Sequence, residues 1–570
     1  MTLKDMEYVC CIAEFNNFSK AAEKLFVSQS ALSQSITKLE EELGLQLFRR
    51  TSKGVFLTYA GEIFLEESEK IISQTKIFKE KLENLSSCKK RTLGIGAYQF
   101  YGRYFFPKII PEFNKLFPDV QIKIIEDSQY NLEKIHLTTR EAIQLHGISI
   151  DAVCDIMQEG LTKGIYTRGG GGNFPRNVAL NPLSGVQIGE TFDVTPYALA
   201  SNAHYMSKIY TYNLPRKIKT AFSNTEEDSA HCTVTDLGFL AVDNNGKRAF
   251  KLYIGGGLGR NPRTSVEFDE LIDEKDVLYC LEAMTNLFVA EGDYKNHGKA
   301  RIRYIVERMG EEEFKNCFRK HLEEVKAKGG LDLKVEDIKY SKKGEKTNIK
   351  HERLIPQKQE GLYTVLFHPV GGQLSLDVLK ELIEKIEKIE EGEVRLGMDE
   401  NLYVRNLNGK EAEAILDFTQ GKGGETLAER SVACIGTPTC QMGVLESQKT
   451  LREFVELLKE NSIKEGILPR VRFSGCPNSC GMHEIGDIGF AGKKKKVCDV
   501  LSNVFELHFG GKLGIGETRL GDYYGDILQD KVPEFLIKVA KAVEAKNSTF
   551  EEWIKDNSEE FKAIVEEYNV

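Results

Sequence analysis

The sequence predicts a multidomain chain with an N-terminal all-α winged helix-turn-helix followed by α+β (α/β) modules. Three observations lead there. A length of 570 residues exceeds what one core holds and suits several domains of ~100–200 residues each. The opening segment, up to Leu85, carries helical apolar spacing broken by short polar turns. From His136 onward the texture changes to strands, glycine-rich turns and helices. Apolar and charged contents of 41% and 29% are those of an ordinary globular protein. No stretch approaches the ~18 uninterrupted apolar residues of a membrane span. The start, MTLKDMEYVC, lacks the basic and apolar regions of a signal peptide. A cytoplasmic protein without a membrane partner is expected. Net charge −9 argues against nucleic-acid binding in bulk, yet leaves room for a local DNA-reading element.

The elements follow in order. Leu3 to Phe15, Ser19 to Leu25 and Ser28 to Leu43 have helical periodicity, with breaks at Asn16–Asn17 and Phe26–Val27. The second and third segments open on serines able to cap them, and Gly44 stops the third. Arg49 to Thr58 reads as a two-stranded wing turning at Lys53–Gly54, and Ala60 to Leu85 as a long amphipathic helix fit for a dimer seam. Thr92 to Ile125 gives strand, helix and strand. Asp337 to Glu352 is polar, lysine-rich and linker-like, and Leu362 to Asn408 has strand, helix and hairpin character. KKKK at Lys493 to Lys496 reads as a solvated turn, and Val532 to Tyr568 as closing helices.

In the N-terminal segment, two helices joined by a tight turn, the second beginning VSQSALSQSITKLE, fit a helix-turn-helix. Ser28, Gln29, Ser30, Ser33 and Gln34 would occupy the early turns of the recognition helix, within reach of base edges and phosphates. Arg49, Arg50 and Lys53 would hold phosphates. A small helical bundle with polar surfaces is the competing reading. The run Leu3 to Leu65, with FSKAAEKLFVSQSALSQSITKLEEELGLQLFRR and LTYAG, resembles the winged helix-turn-helix of LysR-type transcriptional regulators. TLGIGAYQFYGRYFFPKIIPEFNKLFPDVQIKIIED resembles the opening strand, helix and strand of that family's effector domain. The resemblance spans about residues 2 to 130 and implies a DNA partner.

Twelve cysteines in a cytosolic chain are not a disulfide framework. Cys10, Cys11, Cys88, Cys154, Cys232, Cys280, Cys317 and Cys498 have no ligand-like spacing and read mostly as small core hydrophobes. Cys434 and Cys440 enclose five residues, and Cys476 and Cys480 enclose three. Loops bearing close pairs can bring four thiolates onto one cubane cluster. Zinc competes, although its pairs usually enclose two to four residues; four buried structural cysteines are a third reading. Four basic segments accompany them: Arg140 in HLTTREAIQLHGI, Arg176 in GGGGNFPRNVALNPLSGV, Lys217 and Lys219 in LPRKIK, and Lys299, Arg301 and Arg303 in KARIR. Lys217 and Lys219 alternate along an expected strand and so share a face; alone, LPRKIK is an ordinary charged edge. IGGGLGRNP invites a dinucleotide reading, but the required helix and downstream acid are not evident.

TLAERSVACIGTPTCQMGVLESQ and RVRFSGCPNSCGMHEIGDIGF resemble the sulfite and nitrite reductases that couple a 4Fe–4S cluster to sirohaem, and the likeness covers about residues 134 to 570. It implies Cys434, Cys440, Cys476 and Cys480 as cluster ligands, with the Cys480 thiolate also bridging to the sirohaem iron. It implies Arg140, Arg176, Lys217 and Lys219 as residues that hold substrate, supply protons or grip the sirohaem carboxylates. Lys299, Arg301 and Arg303 are weaker carboxylate-binding candidates, and the glycine turn of IGGGLGRNP would approach the prosthetic group. Sulfite or nitrite would be the substrate, and ferredoxin or another small electron donor the partner, since no flavin or NADPH module is visible.

The expected division is therefore a winged helix-turn-helix domain (1–65), a linker helix (66–91), a truncated effector fragment replacing a first ferredoxin-like half-domain (92–133), and a first sirohaem reductase module (134–335). A linker (336–357), a second ferredoxin-like half-domain (358–422) and the 4Fe–4S/sirohaem module (423–570) complete it. GLYTVLFHPVGGQLSLDVLKELIEKIEKIEEGEVRLGMDENLYVRNL carries that half-domain's order, and RLGMDENLYVRNL echoes HLTTREAIQLHGI as an internal repeat. The expected activity is six-electron reduction of sulfite to sulfide or nitrite to ammonia. Two alternatives stand beside it: a regulator with a redox- or sulfite-sensing cofactor module, and an inactive chimaera joined near Asn131.

Overall fold

The computed structural model describes residues 2–75 except 16, 26, 52, 53, 66, 69, 70, 73 and 74; then 91–97, 113 and 120–126; then 134–570 except 149. The chain divides into two units, Met1–Gln129 and Tyr130–Val570.

In the first unit, helices α1 (Leu3–Phe15), α2 (Phe18–Lys24) and α3 (Gln29–Leu43) enclose a core containing Val9, Ile12, Ala21, Leu32 and Ile36. The cap of α2 is Asn17, whose side chain accepts from Ser19 N at 2.8 Å and Lys20 N at 3.1 Å; Ser19, expected to cap, is the second residue of the helix. Asn is as good an N-cap as Ser and wins by standing at the extended residue. Ser28 does cap α3, accepting from Ala31 N at 3.2 Å, and Gly44 ends it with φ 65°. Strands β1 (Phe48–Thr51) and β2 (Gly54–Leu57) pair antiparallel as the wing. Glu40 ties the wing to α3, its Oε1 accepting from Leu47 N at 2.7 Å and Phe48 N at 3.0 Å. Residues 59–65 are helical; Lys53, Cys88, most of the expected dimer-seam helix and the junction near Asn131 lie outside the described residues. β3 (Arg91–Ala97) and β4 (Val120–Glu126) pair in parallel. Of the helix expected between them, only residue 113 is described.

The second unit is built by repetition. A hairpin of β5 (Lys134–Leu137) and β6 (Ile143–Gln144) is followed by α4 (Ile150–Thr162). Next come β7 (Ala179–Leu180), α5 (Thr195–Ser207), β8 (Thr220–Ser223), β9 (Leu237–Asn244) and β10 (Lys247–Ile254). With β11 (Val266–Glu267) and β12 (Ile272–Asp273) they form one sheet, in which β7, β8 and β9 run parallel and β10 antiparallel. Helices α6 (Val277–Glu291), α7 (Ile302–Met309) and α8 (Glu311–Lys328) complete its core. The segment 329–353 has neither helix nor strand. It is nevertheless tied down, through Asp337 to Arg248 and Lys342 to Glu411, each at 2.6 Å.

β13 (Leu354–Pro356), β14 (Leu362–Phe367), β15 (Gln373–Ser375), α9 (Leu376–Ile386), β16 (Glu393–Leu396), β17 (Leu402–Asn408) and α10 (Gly409–Thr419) follow. The four-stranded order is β13-β14-β17-β16, whereas β15 crosses to β5 in the order β15-β5-β6. The last module has β18 (Val432–Ala433), α11 (Ser447–Glu460), β19 (Val471–Ser474), β20 (Ile488–Val497), β21 (Val500–Phe509) and β22 (Asp522–Leu528). Helices α12 (Val532–Ala545), α13 (Phe550–Asp556) and α14 (Ser558–Tyr568) close the chain.

This last sheet repeats the first: β18, β19 and β20 are parallel and β21 antiparallel. The cores repeat as well. Phe222 stacks on Phe239 at 4.5 Å and 5°, with Phe250 edge-on at 5.6 Å to both. Phe473 stacks on Phe490 at 5.3 Å and 8°, with Phe505 edge-on at 6.2 and 5.9 Å. Parallel strands buried on both faces take such bulky residues. One expectation needs correction: KKKK is not a turn but the end of β20. Alternate residues share a face of a strand, and Lys493 and Lys495 use theirs to bind buried Asp526 at 2.7 Å each. Phe222→Ala and Phe473→Ala should each cost about 3–5 kcal/mol, seen as a lower urea midpoint for the module that carries the change.

Candidate active site

β18 and β19 pair with Ala433 opposite Phe473, so Cys434 and Cys476 leave the C-terminal ends of neighbouring parallel strands. Open α/β sheets gather ligands at that edge. Gly475 N donates to Cys434 Sγ at 3.1 Å, and Gly475 O accepts from Val444 N and Leu445 N at 2.9 Å each. Cys440 lies on the loop thus folded back, its N–H bonded to Gly436 O at 2.7 Å. None of the four thiols is in a disulfide. Burial pushes Cys434 up to about 12 and raises Cys480 as well; Lys217 and Lys219 pull Cys480 back down, and Cys476 and Cys440 push it up. The pairs and the lysines therefore share one electrostatic neighbourhood. Among the described residues no three His, Cys, Asp or Glu side chains stand close enough to hold a single metal ion; a 4Fe–4S cube spreads its thiolates over its corners.

The cations come from the repeat, altered at several positions, one of them in the turn. The turn between β16 and β17 places Glu400 at φ 63°, and Glu400 accepts from Ala433 N at 3.1 Å. The turn between β5 and β6 places Glu141 at φ 52°, and Glu141 accepts from Leu180 N at 3.0 Å. The preceding residues differ in sign. Asp399 pairs with Arg470 and with Arg472 (2.7 Å), just before and within β19. Burial would raise its carboxyl, but the two arginines hold it far below the ordinary range. Arg140 occupies the matching place opposite Lys219, the residue before β8. Among the described residues no acid forms an ion pair with that lysine, so cations accumulate. Lys217 falls to about 8 through burial and then Arg301 and Arg176. Lys219 lies well below its usual value through burial, Arg140 and Lys217. Arg176 falls to about 10 through burial, Arg216 and Arg301. Burial raises Glu141 to about 8 against the pull of Arg140. Lys217 and Lys219 lie in the extended stretch leading into β8 rather than in the strand, and their alternation survives.

Asp236, fully buried, anchors Arg301 at 2.8 Å and accepts from Lys219 N at 2.8 Å. Thr139 donates to Cys480 O at 2.7 Å, tying the turn of Arg140 to the cysteine loop. Arg176 is wrapped by the glycine run, donating to Gly169 O and Gly171 O at 2.8 Å each and to Gly172 O at 3.0 Å. The turn of IGGGLGRNP lies against Arg301 and Arg303: a Cβ on Gly257, at φ 155°, would stand 3.2 Å from Arg303 Nη1 and 3.3 Å from Arg301 Nη2. Lys299 is not brought in. It is exposed and lines a separate cavity with Glu291, Asp293, Tyr304 and Arg308, because α7 begins at Ile302 and turns the chain away. Sequence reasoning passed over Asp236, Thr139 and Glu141; Thr139 and Glu141 stand inside the very motif that carries Arg140. The donor set fits the expected groups. Four undisulfided thiols stand in two facing loops, and the Nε atoms of Arg140, Arg301 and Arg303 are buried without a partner, as a polyanionic macrocycle requires.

Residues 171–326 and 429–568 match the nitrite and sulphite reductase 4Fe-4S domain, just over half of the chain. The chain belongs to the nitrite and sulphite reductases. As a member of that family it is an oxidoreductase with sirohaem and 4Fe–4S cofactors. Residues 355–420 match the family's ferredoxin-like half domain, and residues 3–62 match the helix-turn-helix of the lysR family of bacterial regulators. The reductase is thus joined to a LysR DNA-binding domain. It is similar to the chloroplastic ferredoxin–nitrite reductase of Spinacia oleracea, with 27% identity over 428 residues, covering 71% of this chain and 70% of that one. The assimilatory ferredoxin-dependent nitrite reductase of Haloferax mediterranei is 22% identical over 448 residues, 76% of each chain. The structure of the Mycobacterium tuberculosis NirA protein shares the fold, at 23% identity and a TM-score of 0.59, covering 71% of this chain and 74% of that one. No described helix is long and apolar enough to cross a membrane.

In the helix-turn-helix, Gln29, Ser30 and Gln34 are exposed on the first turns of α3, Ser33 is half-buried and Arg49 is exposed on β1. The Ser28 hydroxyl is committed to its cap and to Ser30 Oγ at 3.1 Å. Arg50 lies on β1, its side chain outside the described residues.

The uncompensated lysines set a stability slope. Lys217 has its folded value near 8 against 10.5 for the free group, so between those values the unfolded chain binds more protons. Stability should therefore rise with pH from about 8 to 10.5 and be flat in this contribution below 8. Lys217→Met should make that rise shallower in urea midpoints measured across the range, Lys219 supplying what remains. Asp399→Asn, which strands buried Arg472 and half-buried Arg470, should instead cost about 3–5 kcal/mol.

Proposed function

We propose that this reductase takes six electrons singly from ferredoxin or a similar small donor and reduces nitrite to ammonium. Nitrite is favoured over sulfite because the curated relatives named above are nitrite reductases. The observation that carries the reading is the unneutralised cation set of Arg140, Arg176, Lys217 and Lys219 beside Cys480. Cys434, Cys440, Cys476 and Cys480 would hold the cluster, and Cys480 would also serve the sirohaem beside it. When bound, the two groups supply electron storage and delivery to the substrate anion.

The chain's own residues do the rest. Arg140 and Lys219, half-buried and in no ion pair among the described residues, attract the anion; their field is strong because little water screens it. Each nitrite consumes eight protons as well as six electrons and yields ammonium and two waters. Lys217, near 8, is suited to release a proton from Nζ and regain one from solvent at neutral pH. Arg301 and Arg303 would face sirohaem carboxylates, with Asp236 fixing Arg301. Gln29, Ser30, Ser33 and Gln34 would read base edges while Arg49 and Arg50 hold phosphates; the lysR-family match supports this second role.

Purified protein should carry sirohaem absorption and reduce nitrite with reduced viologen faster than it reduces sulfite; protein that binds no sirohaem would refute the proposal. Arg140→Gln should lower kcat/KM for nitrite by about 10²–10³-fold. The parent's rate should fall above pH 8, and Lys217→Met should flatten that fall. Cys480→Ser should abolish turnover. If the DNA reading holds, binding to a palindromic site should weaken steeply with salt, and Arg49→Ala should reduce the slope by about one.

A further inference from the structure

Glu484 joins two loops that belong to different modules. It stands in the short helical turn His483–Ile485 and is 2% exposed. Its Oε1 accepts from Gly259 N at 3.0 Å, and its Oε2 accepts from Ser479 Oγ. Ser479 lies between Cys476 and Cys480 and adopts φ 57°. Gly259 lies on the glycine turn that faces Arg303, and a Cβ there would stand 3.7 Å from Asn478 O. One carboxylate therefore spans the cysteine loop and the turn, which already touch.

The first module shows that the fold alone does not ask for an acid at this place. Aligning Phe222 with Phe473 and Phe239 with Phe490 puts Asp228 opposite Ser479 and Thr233 opposite Glu484. Thr233 Oγ1 donates to Asp228 Oδ2 at 2.6 Å and meets Thr518 Oγ1 of the other module at 2.8 Å. Each module thus has one acid, one hydroxyl and one contact across to its partner, with acid and hydroxyl interchanged. An acid at the Ser479 place would sit between Cys476 and Cys480, where like charge opposes two thiolates. At 484 it keeps the internal bond, withdraws from the thiolates and reaches the glycine turn.

We infer that Glu484 is a positioning residue that fixes the Cys476–Cys480 loop against the Gly255–Gly259 turn. Through this clasp it sets where Cys480 stands relative to Arg301 and Arg303. The inference rests on the reading of these loops as the cofactor-bearing ones. Its test uses the full chain, first stripped of iron, with the alkylation of each cysteine by iodoacetamide followed by peptide mass spectrometry. Cys476, at 8% exposure, reports loosening of the loop. In Glu484→Ala its rate should rise about tenfold or more, the scale of a lost hydrogen bond to a charged group. Cys434, on the other loop, should keep its parent rate. Glu484→Gln should return Cys476 toward the parent rate, since its amide oxygen can still accept from Gly259 N–H. In the loaded protein, Glu484→Ala should shift the sirohaem absorption and Glu484→Gln should restore it. An unchanged Cys476 rate, or an equal rise at Cys434 that marks general loosening, would overturn the inference. Parent protein that takes up no sirohaem would refute the proposed function, while the iron-free rates would still decide the role of Glu484.

Discussion

Like charges held together out of water are costly, and this reductase arranges the rest of its second unit around that cost. Lys217, Lys219, Arg140, Arg176 and Arg301 meet beside Asp236, which is engaged by Arg301. Burial has raised another nearby acid, Glu141. Such a cluster persists only if the surrounding scaffold is rigid enough to prevent its dispersal. Two parallel-strand modules provide that rigidity, each with a stacked and edge-on trio of phenylalanines directly beneath the strand that leads to the site.

The repetition explains how a cation-rich cluster arises from an ion-paired one. In the second module Asp399 balances Arg470 and Arg472 and the arrangement is a closed structural network. In the first, the same turn presents Arg140, while the backbone anchor next to it is retained, Glu141 to Leu180 matching Glu400 to Ala433. The exchange inverts the charge of one position without changing the path of the chain. Cysteines are distributed with equal asymmetry: Thr225 and Ser229 stand where the second module has Cys476 and Cys480. One module contributes the thiols, the other the positive charge, and Thr139 links the two by its bond to Cys480 O.

Much of this was legible before any coordinates. Fixed spacing along one loop survives folding, so the pairs Cys434–Cys440 and Cys476–Cys480 were visible as a set, as was the helix-turn-helix with Ser28 as its cap. Lys217 and Lys219 were visible because alternation in an extended segment is a local property. Less visible were features in which several residue types serve equally. Asn17 rather than Ser19 caps α2, and KKKK lies within β20 because a distant carboxylate, Asp526, pairs with two of its lysines. Lys299 carries the same charge as Arg301 two residues on, but the chain turns between them into α7.

By itself the sequence determined the elements, the cysteine pattern, the internal echo between HLTTREAIQLHGI and RLGMDENLYVRNL, and the family to which these belong. These are matters of spacing and residue type, set within a few turns of chain. Only the tertiary structure decided which charges are neutralised. Asp399 lies 71 and 73 residues from its arginines, Asp236 lies 65 from Arg301, and Glu484 lies 225 from Gly259. Electrostatic balance in a buried site depends on distance through space and on exclusion of water, and neither is written along the chain.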